Sequence, residues 1–195
     1  MNGWMSSRPA RILARAAVTL VLLAVGGVAG WFAQSLKSTP SDVPTISIYD
    51  DWRLVCPALE RKDRSCELTQ DLMDPNSHVQ IAHLTLTERK AGPVLLVTVP
   101  YDVLLPSGLG LSLGNDKVRL EHYHTCDTVG CVAAIPVDDA MREDLRQAAQ
   151  GRLLVAALDK KVFAIPFSMR GFNRAQSAYA VSQAKRRLWG MRIEK

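Results

Sequence analysis

The sequence predicts an all-β domain, a sandwich or barrel, set behind a single apolar segment. Three observations carry this: short alternating runs between turn signals from residue 46 onward, a 21-residue run without a charge at 16–36, and four cysteines that all follow it. At 195 residues, with 48% hydrophobic and 22% charged, the chain holds one ordinary domain plus extensions and is neither disordered, collagen-like nor multi-span. Of the formal charge of +5, residues 1–45 carry +3 and residues 185–195 carry +4, which leaves −2 for residues 46–184. A mildly acidic middle excludes nucleic acid as the natural partner of the domain.

Taken in order, residues 1–15 hold Arg8, Arg11 and Arg15 and read as a basic cytoplasmic N-terminus. Ala16 to Leu36 is long enough to cross about 30 Å of hydrocarbon, and only Lys37 closely follows it, so the positive-inside rule places everything after residue 37 outside the cytoplasm. The same run reads alternatively as a cleaved signal, with small residues for cleavage at Gly27-Val28-Ala29 or Val28-Ala29-Gly30. Trp31 and Phe32 suit an interfacial aromatic belt, and Gly26 and Gly30 form a GxxxG pair that could pack two helices. Residues 37–45, KSTPSDVPT, form a linker, and the domain is expected over 46–182, followed by a basic C-terminal tail at 183–195.

Within the domain, Ile48, Trp52, Leu54 and Cys56 fall on one side of a period-2 pattern and predict a strand over 46–56. Further strands are expected near 65–70, 79–87, 94–99, 109–113, 117–126, 130–136, 152–158 and 162–168, with turns at 74–76, 91–93, 106–108 and 114–116. Two segments break the pattern. Met141, Leu145 and Ala148 at helical spacing predict a helix over 138–150, capped by Asp138 or Asp139 and ended by Gly151; Phe172, Ala175 and Tyr179 predict a second from Gly171.

Cys56, Cys66, Cys126 and Cys131 read as a disulfide framework in an exported domain, and the local pairs are favoured. Asp127-Thr128-Val129-Gly130 suits a hairpin between Cys126 and Cys131, and a bridge between Cys56 and Cys66 would staple the neck of a polar loop. Neither pair has the CxxC spacing of a redox site. Gly110 to Gly114 satisfies GxSxG, but Leu109, Leu111 and Leu113 alternate as in a strand and no helix follows, so Ser112 lacks the nucleophile's context. His122, His124 and Cys126, expected on one inward strand face opposite Cys131, form the alternative: a zinc shell of a metal-binding or enzymatic module. That shell requires thiolates, which a disulfide removes. His78 and His83 have no partner pattern and read as surface histidines, and the Asp50-Asp51 and Asp138-Asp139 pairs read as solvated charge and capping. The residues therefore give no catalytic set, no cofactor site and no metal site. Lys185, Arg186, Arg187, Leu188, Trp189, Met191 and Arg192 interleave basic and apolar types, as a segment touching anionic lipid does; a solvated tail is the plainer reading.

An ordered set of short motifs adds a family. Trp52-x-x-x-Cys56, Cys66-Glu67-Leu68-Thr69-Gln70, the run from Leu105 to Gly114, Tyr123-x-x-Cys126, Gly130-Cys131-x-Ala133 and Gly171-Phe172 with Ala175 together resemble the invasion-associated locus B (IalB) family of exported bacterial proteins. The resemblance spans about residues 46–182 and implies an immunoglobulin-like β-sandwich with one or two short helices, a periplasmic or envelope location and, in some pathogens, a link to host-cell invasion. It brings no catalytic residues. The sequence thus leads to a non-enzymatic envelope protein, attached to the inner membrane through 16–36 or released by cleavage, that binds or supports an unknown envelope protein.

Overall fold

The computed structural model describes residues 43–58, 65–114 and 117–193, with the side chains of the last helix described through Leu188. They belong to one compact unit, Asp42–Lys195; the expected span at 16–36, its cleavage sites, the aromatic pair and the GxxxG lie outside the described residues. No described helix is long and apolar enough to cross a membrane.

Among the described residues, eleven strands form two antiparallel sheets. The larger, in the order β1-β2-β3-β4-β5-β9-β8, contains β1 (Thr45–Tyr49), β2 (Trp52–Cys56), β3 (Glu67–Met73), β4 (Gln80–Arg89), β5 (Gly92–Val99), β8 (Tyr123–Cys126) and β9 (Cys131–Pro136). The smaller, in the order β11-β10-β6-β7, contains β6 (Leu109–Ser112), β7 (Val118–Glu121), β10 (Gln150–Ala156) and β11 (Val162–Ser168). Helices α1 (Asp139–Gln147) and α2 (Phe172–Ile193) complete the unit, so the expected all-β sandwich with helices is what the chain adopts.

Register explains the core. Leu54, Leu68, Leu86, Leu95 and Ile135 stand opposite one another across five neighbouring strands, and all are buried. In the small sheet Leu153 pairs with Leu111 and Val155 with Leu109, and these four face the first set from the other side. One residue on, the alternation gives the large sheet an outer row of Arg53, Thr69, Thr85, Leu96 and Ala134.

Several expectations change. The strand expected at 46–56 is the hairpin β1–β2, turned at Asp50-Asp51 with Asp50 at φ 52°; because Tyr49 pairs with Trp52, Ile48 lies opposite Arg53 on the outer face, away from Trp52. The strand expected at 117–126 is two strands in different sheets, β7 on β6 and β8 on β9, with only His122 between them. The first helix stops at Gln147 with Ala148 as its C-cap. Gly151 does not end it: the glycine lies inside β10 because a Cβ there would sit 2.0 Å from Cζ of Phe167, its neighbour on β11. The second helix is 22 residues long and runs to Ile193, so the expected 182/183 boundary falls inside it.

Helix α2 packs on β1, β2 and β3. Phe172 meets Trp52 edge-on at 5.0 Å, and Trp52 Nε1 donates to the Ser168 carbonyl at 2.9 Å. Gln70 Nε2 donates to that same carbonyl at 3.1 Å and to the Asp51 carbonyl at 3.2 Å, which ties β11 to the larger sheet. At Gly171, φ is +80° and a Cβ would lie 2.0 Å from the Tyr49 carbonyl oxygen, so glycine lets the helix start against the first hairpin.

Candidate functional site

The cysteines pair locally, Cys56 with Cys66 and Cys126 with Cys131, and no described cysteine is free. The second bridge closes a tight hairpin in which Asp127 N–H donates to the Gly130 carbonyl and Val129 N–H to the Asp127 carboxylate, both at 2.9 Å. Gly130 is forced there, because at φ +153° a Cβ would lie 2.2 Å from the Val99 carbonyl oxygen. This arrangement dismantles the alternative metal shell. Cys126 Sγ is spent on Cys131; His122 is the exposed residue between sheets, and His124 occupies a bulge between Tyr123 and Thr125 with its Nδ1 against the His122 carbonyl. Both histidines point outward, not inward, because β7 leaves for the other sheet before the alternation could carry across. No group of three or more His, Cys, Asp or Glu among the described residues is placed to hold a metal.

Ser112 of the GxSxG match lies buried in β6, opposite Arg152, as a strand residue. Asp138 is the N-cap of α1: its carboxylate accepts from Met141 N–H at 2.7 Å and pairs with Arg119 at 3.1 Å, and Arg119 with that cap bond holds its pKa below the ordinary carboxylate value. Asp50 pairs with Arg174 at 2.5 Å.

One network was invisible to the sequence reading. Asp71 on β3 bonds Arg53 on β2 and His83 on β4, with His83 Nδ1 at 2.6 Å. Burial, and then the Arg53 charge, push the His83 pKa below its ordinary value, so a neutral imidazole donates from Nδ1 to Asp71. The Asp71 charge is already engaged by Arg53 and does not reverse that direction. The only sequence signal is register: three polar residues on separate strands meet once β3 and β4 pair Asp71 with His83.

An open groove of about 840 Å³ lies between the two helices, floored by the ends of β4 and β5 and by Val137. Met141 and Leu145 turn into the core, which leaves Arg142 and Arg146, one turn apart, on the groove wall. On the opposite wall α2 buries Phe172, Ala175, Tyr179 and Gln183 and presents Ser177, Ala180, Ala184 and Leu188 to the groove. Asn173 Nδ2 donates to the Arg146 carbonyl at 3.0 Å and joins the walls at one end. Near the other end Arg187 pairs with Glu88 at 3.4 Å. The lining thus has an apolar floor, three arginines and one glutamate. Sequence reasoning missed this site by treating 183–195 as a tail, although Gln183 continues the Phe172, Ala175, Tyr179 series by one turn.

A family model described as invasion associated locus B (IalB) protein matches residues 52–180. Among solved structures the chain is similar to the crystal structure of invasion associated protein B from Bartonella henselae, with a TM-score of 0.63 at 17% identity, covering 72% of this chain and 99% of that one. No curated protein matches in sequence.

Proposed function

The chain belongs to the invasion associated locus B family, and from that premise we propose that it is a non-enzymatic, exported envelope protein whose disulfide-stapled sandwich binds or supports another envelope protein. It works at the outer face of the inner membrane, held by residues 16–36, or in the periplasm after cleavage of that segment. The observation that carries this is the pair of local bridges, each necking a short loop of a domain that follows an uncharged 21-residue run. Such bridges persist in oxidising compartments and are rare in the cytosol. The geometry supports a binding role over a catalytic one: Ser112 has no strand-to-helix elbow, the histidines of 122 and 124 face solvent beside an oxidised cysteine, and the groove between the helices is lined by a mixture of apolar, amide and arginine side chains with one glutamate.

A reporter active only outside the cytoplasm, fused after residue 45, tests the location. Activity is expected; a reporter active only inside would overturn both the location and the role of the bridges. Mass spectrometry of the mature N-terminus then separates an anchor from a cleaved signal, since an end at Gly30 or Trp31 removes the span.

A further inference from the structure

We propose that the open edge of β1 is an interface and that its occupant is β1 of a second copy of this chain, so that two large sheets join into one across a two-fold axis. Backbone chemistry selects a strand as the occupant. Tyr49 and Trp52 flank the two-residue turn as a bonded pair, so the alternate residues Ile46 and Ile48 turn their N–H and C=O groups away from β2, toward the open edge. The other described edges are guarded and this one is not. β11 carries Pro166, β7 carries Arg119 and Glu121, and β8 is bulged at His124, whereas Thr45–Tyr49 holds no proline, no charge and no bulge. Among these edges a copy of the chain can therefore meet β1 only with its own β1, and an antiparallel pair of identical strands closes after two chains instead of growing into a fibre.

The strand matches itself. With the axis at Ser47, Ile46 exchanges both backbone bonds with Ile48 of the second copy, while Pro44, which has no N–H, and the turn at Asp50-Asp51 bound the ladder. Ile46 and Ile48, 59% and 72% exposed on the outer face, then pack against each other across the junction. The layer below ends in the same way. Arg174 pairs with Asp50, which turns that side of α2 toward β1, and Ala178 and Val181 follow at helical spacing with Val181 54% exposed. Proximity favours a second copy over another protein, because residues 37–44 reach at most about 26–29 Å and keep the edge of every anchored copy near the membrane. Gly26 and Gly30, packing two spans together, would raise the effective concentration of the edges to the millimolar range. This proximity step alone rests on the membrane attachment proposed above.

The test uses the full chain, in phosphatidylcholine liposomes for crosslinking and in detergent for its mass in solution. Ser47 meets its own copy at a Cα separation of about 4.5 Å, so Ser47→Cys should join two chains under mild oxidation, with mass spectrometry placing residue 47 at both ends of the bridge. Ile46→Cys sets its two copies roughly 8 Å apart and should not crosslink. In detergent the wild-type chain should be a dimer, and Ile46→Lys with Ile48→Lys, which puts like charges directly opposite, should raise the dissociation constant about tenfold or more. Both isoleucines are exposed, so that variant is expected to fold, and the cysteine variants give a readout that needs no charge in the strand. A monomeric wild-type chain, or crosslinking at 46 as strong as at 47, would overturn the inference. So would a dimer that the lysines leave intact and that Gly26→Leu with Gly30→Leu abolishes, since the contact then lies in the apolar run. In isolated envelopes, Ser47→Cys joined to a different protein and not to itself would overturn it too. An extracytoplasmic reporter without the crosslink defeats this inference alone, and a cytoplasmic reporter with the crosslink intact defeats only the envelope reading.

Discussion

Gly151 in β10 is held by the ring it faces, and adding one methyl group there should show it. In Gly151→Ala the new Cβ would lie 2.0 to 2.6 Å from three atoms of the Phe167 ring, a side chain that is 2% exposed. Ordinary contact begins near 3.5 Å, so the ring or the strand must move by about 1.5 Å inside a packed core. Overpacking of this kind costs roughly 1–3 kcal/mol, and the lower chain entropy of alanine in the unfolded state returns about 0.4–1 kcal/mol. The net destabilisation is then about 1–2 kcal/mol, or roughly 2–8 °C in Tm for a unit of this size. Phe167→Leu removes the atoms that collide, so the double variant should be more stable than the two single costs added together, with a coupling of about 1 kcal/mol. Urea unfolding of Asp42–Lys195 followed by tryptophan fluorescence measures all four corners. Additive costs would refute the reasoning and leave Gly151 without a steric explanation.

Other outcomes are equally open to measurement. Replacing both Cys56 and Cys66 by alanine should cost about 2.7 kcal/mol and replacing both Cys126 and Cys131 about 2.1 kcal/mol, from chain separations of 10 and 5, so calorimetry should rank the first variant lower in Tm. His83, with its pKa lowered by burial and by Arg53, takes up its proton later in the folded chain than the unfolded value of about 6.5; stability should therefore fall as pH drops from 7 toward 5, and His83→Gln should flatten that part of the urea-midpoint profile. Trp52→Phe keeps a ring against Phe172 but loses the bond to the Ser168 carbonyl, about 1 kcal/mol, and amide exchange at the β11 end should quicken.

Much of the fold was legible because half-buried strands advertise themselves by alternation, and the inner residues from Leu68 to Ile135 follow it. The errors have physical sources. A two-residue turn at Asp50-Asp51 interrupts no apolar pattern, and a chain that changes sheets at one exposed histidine looks like a continuing strand. Glycine next to a helix prediction invites a cap, yet the need for Gly151 comes from Phe167, 16 positions away, which only tertiary pairing reveals. The local disulfide pairing could be proposed from loop lengths because a bridge across a short neck is a local property. The groove could not, since its walls come from two helices whose proximity depends on where the intervening hairpin β10–β11 returns the chain.

The contact between Trp52 and the start of α2 also sets a timetable for folding. Trp52 and the Ser168 carbonyl it binds are 116 residues apart, and Phe172 lies just beyond. At synthesis rates of about 5–20 residues per second, the indole waits roughly 6–23 s after it emerges before its partners exist. For that interval the first hairpin has a large aromatic face with nothing to cover it, so a chain cut short before residue 168 can form strands β1 to β10 but not close over Trp52. Truncated products should therefore be sticky and readily proteolysed, and the last helix acts as the step that commits the whole chain.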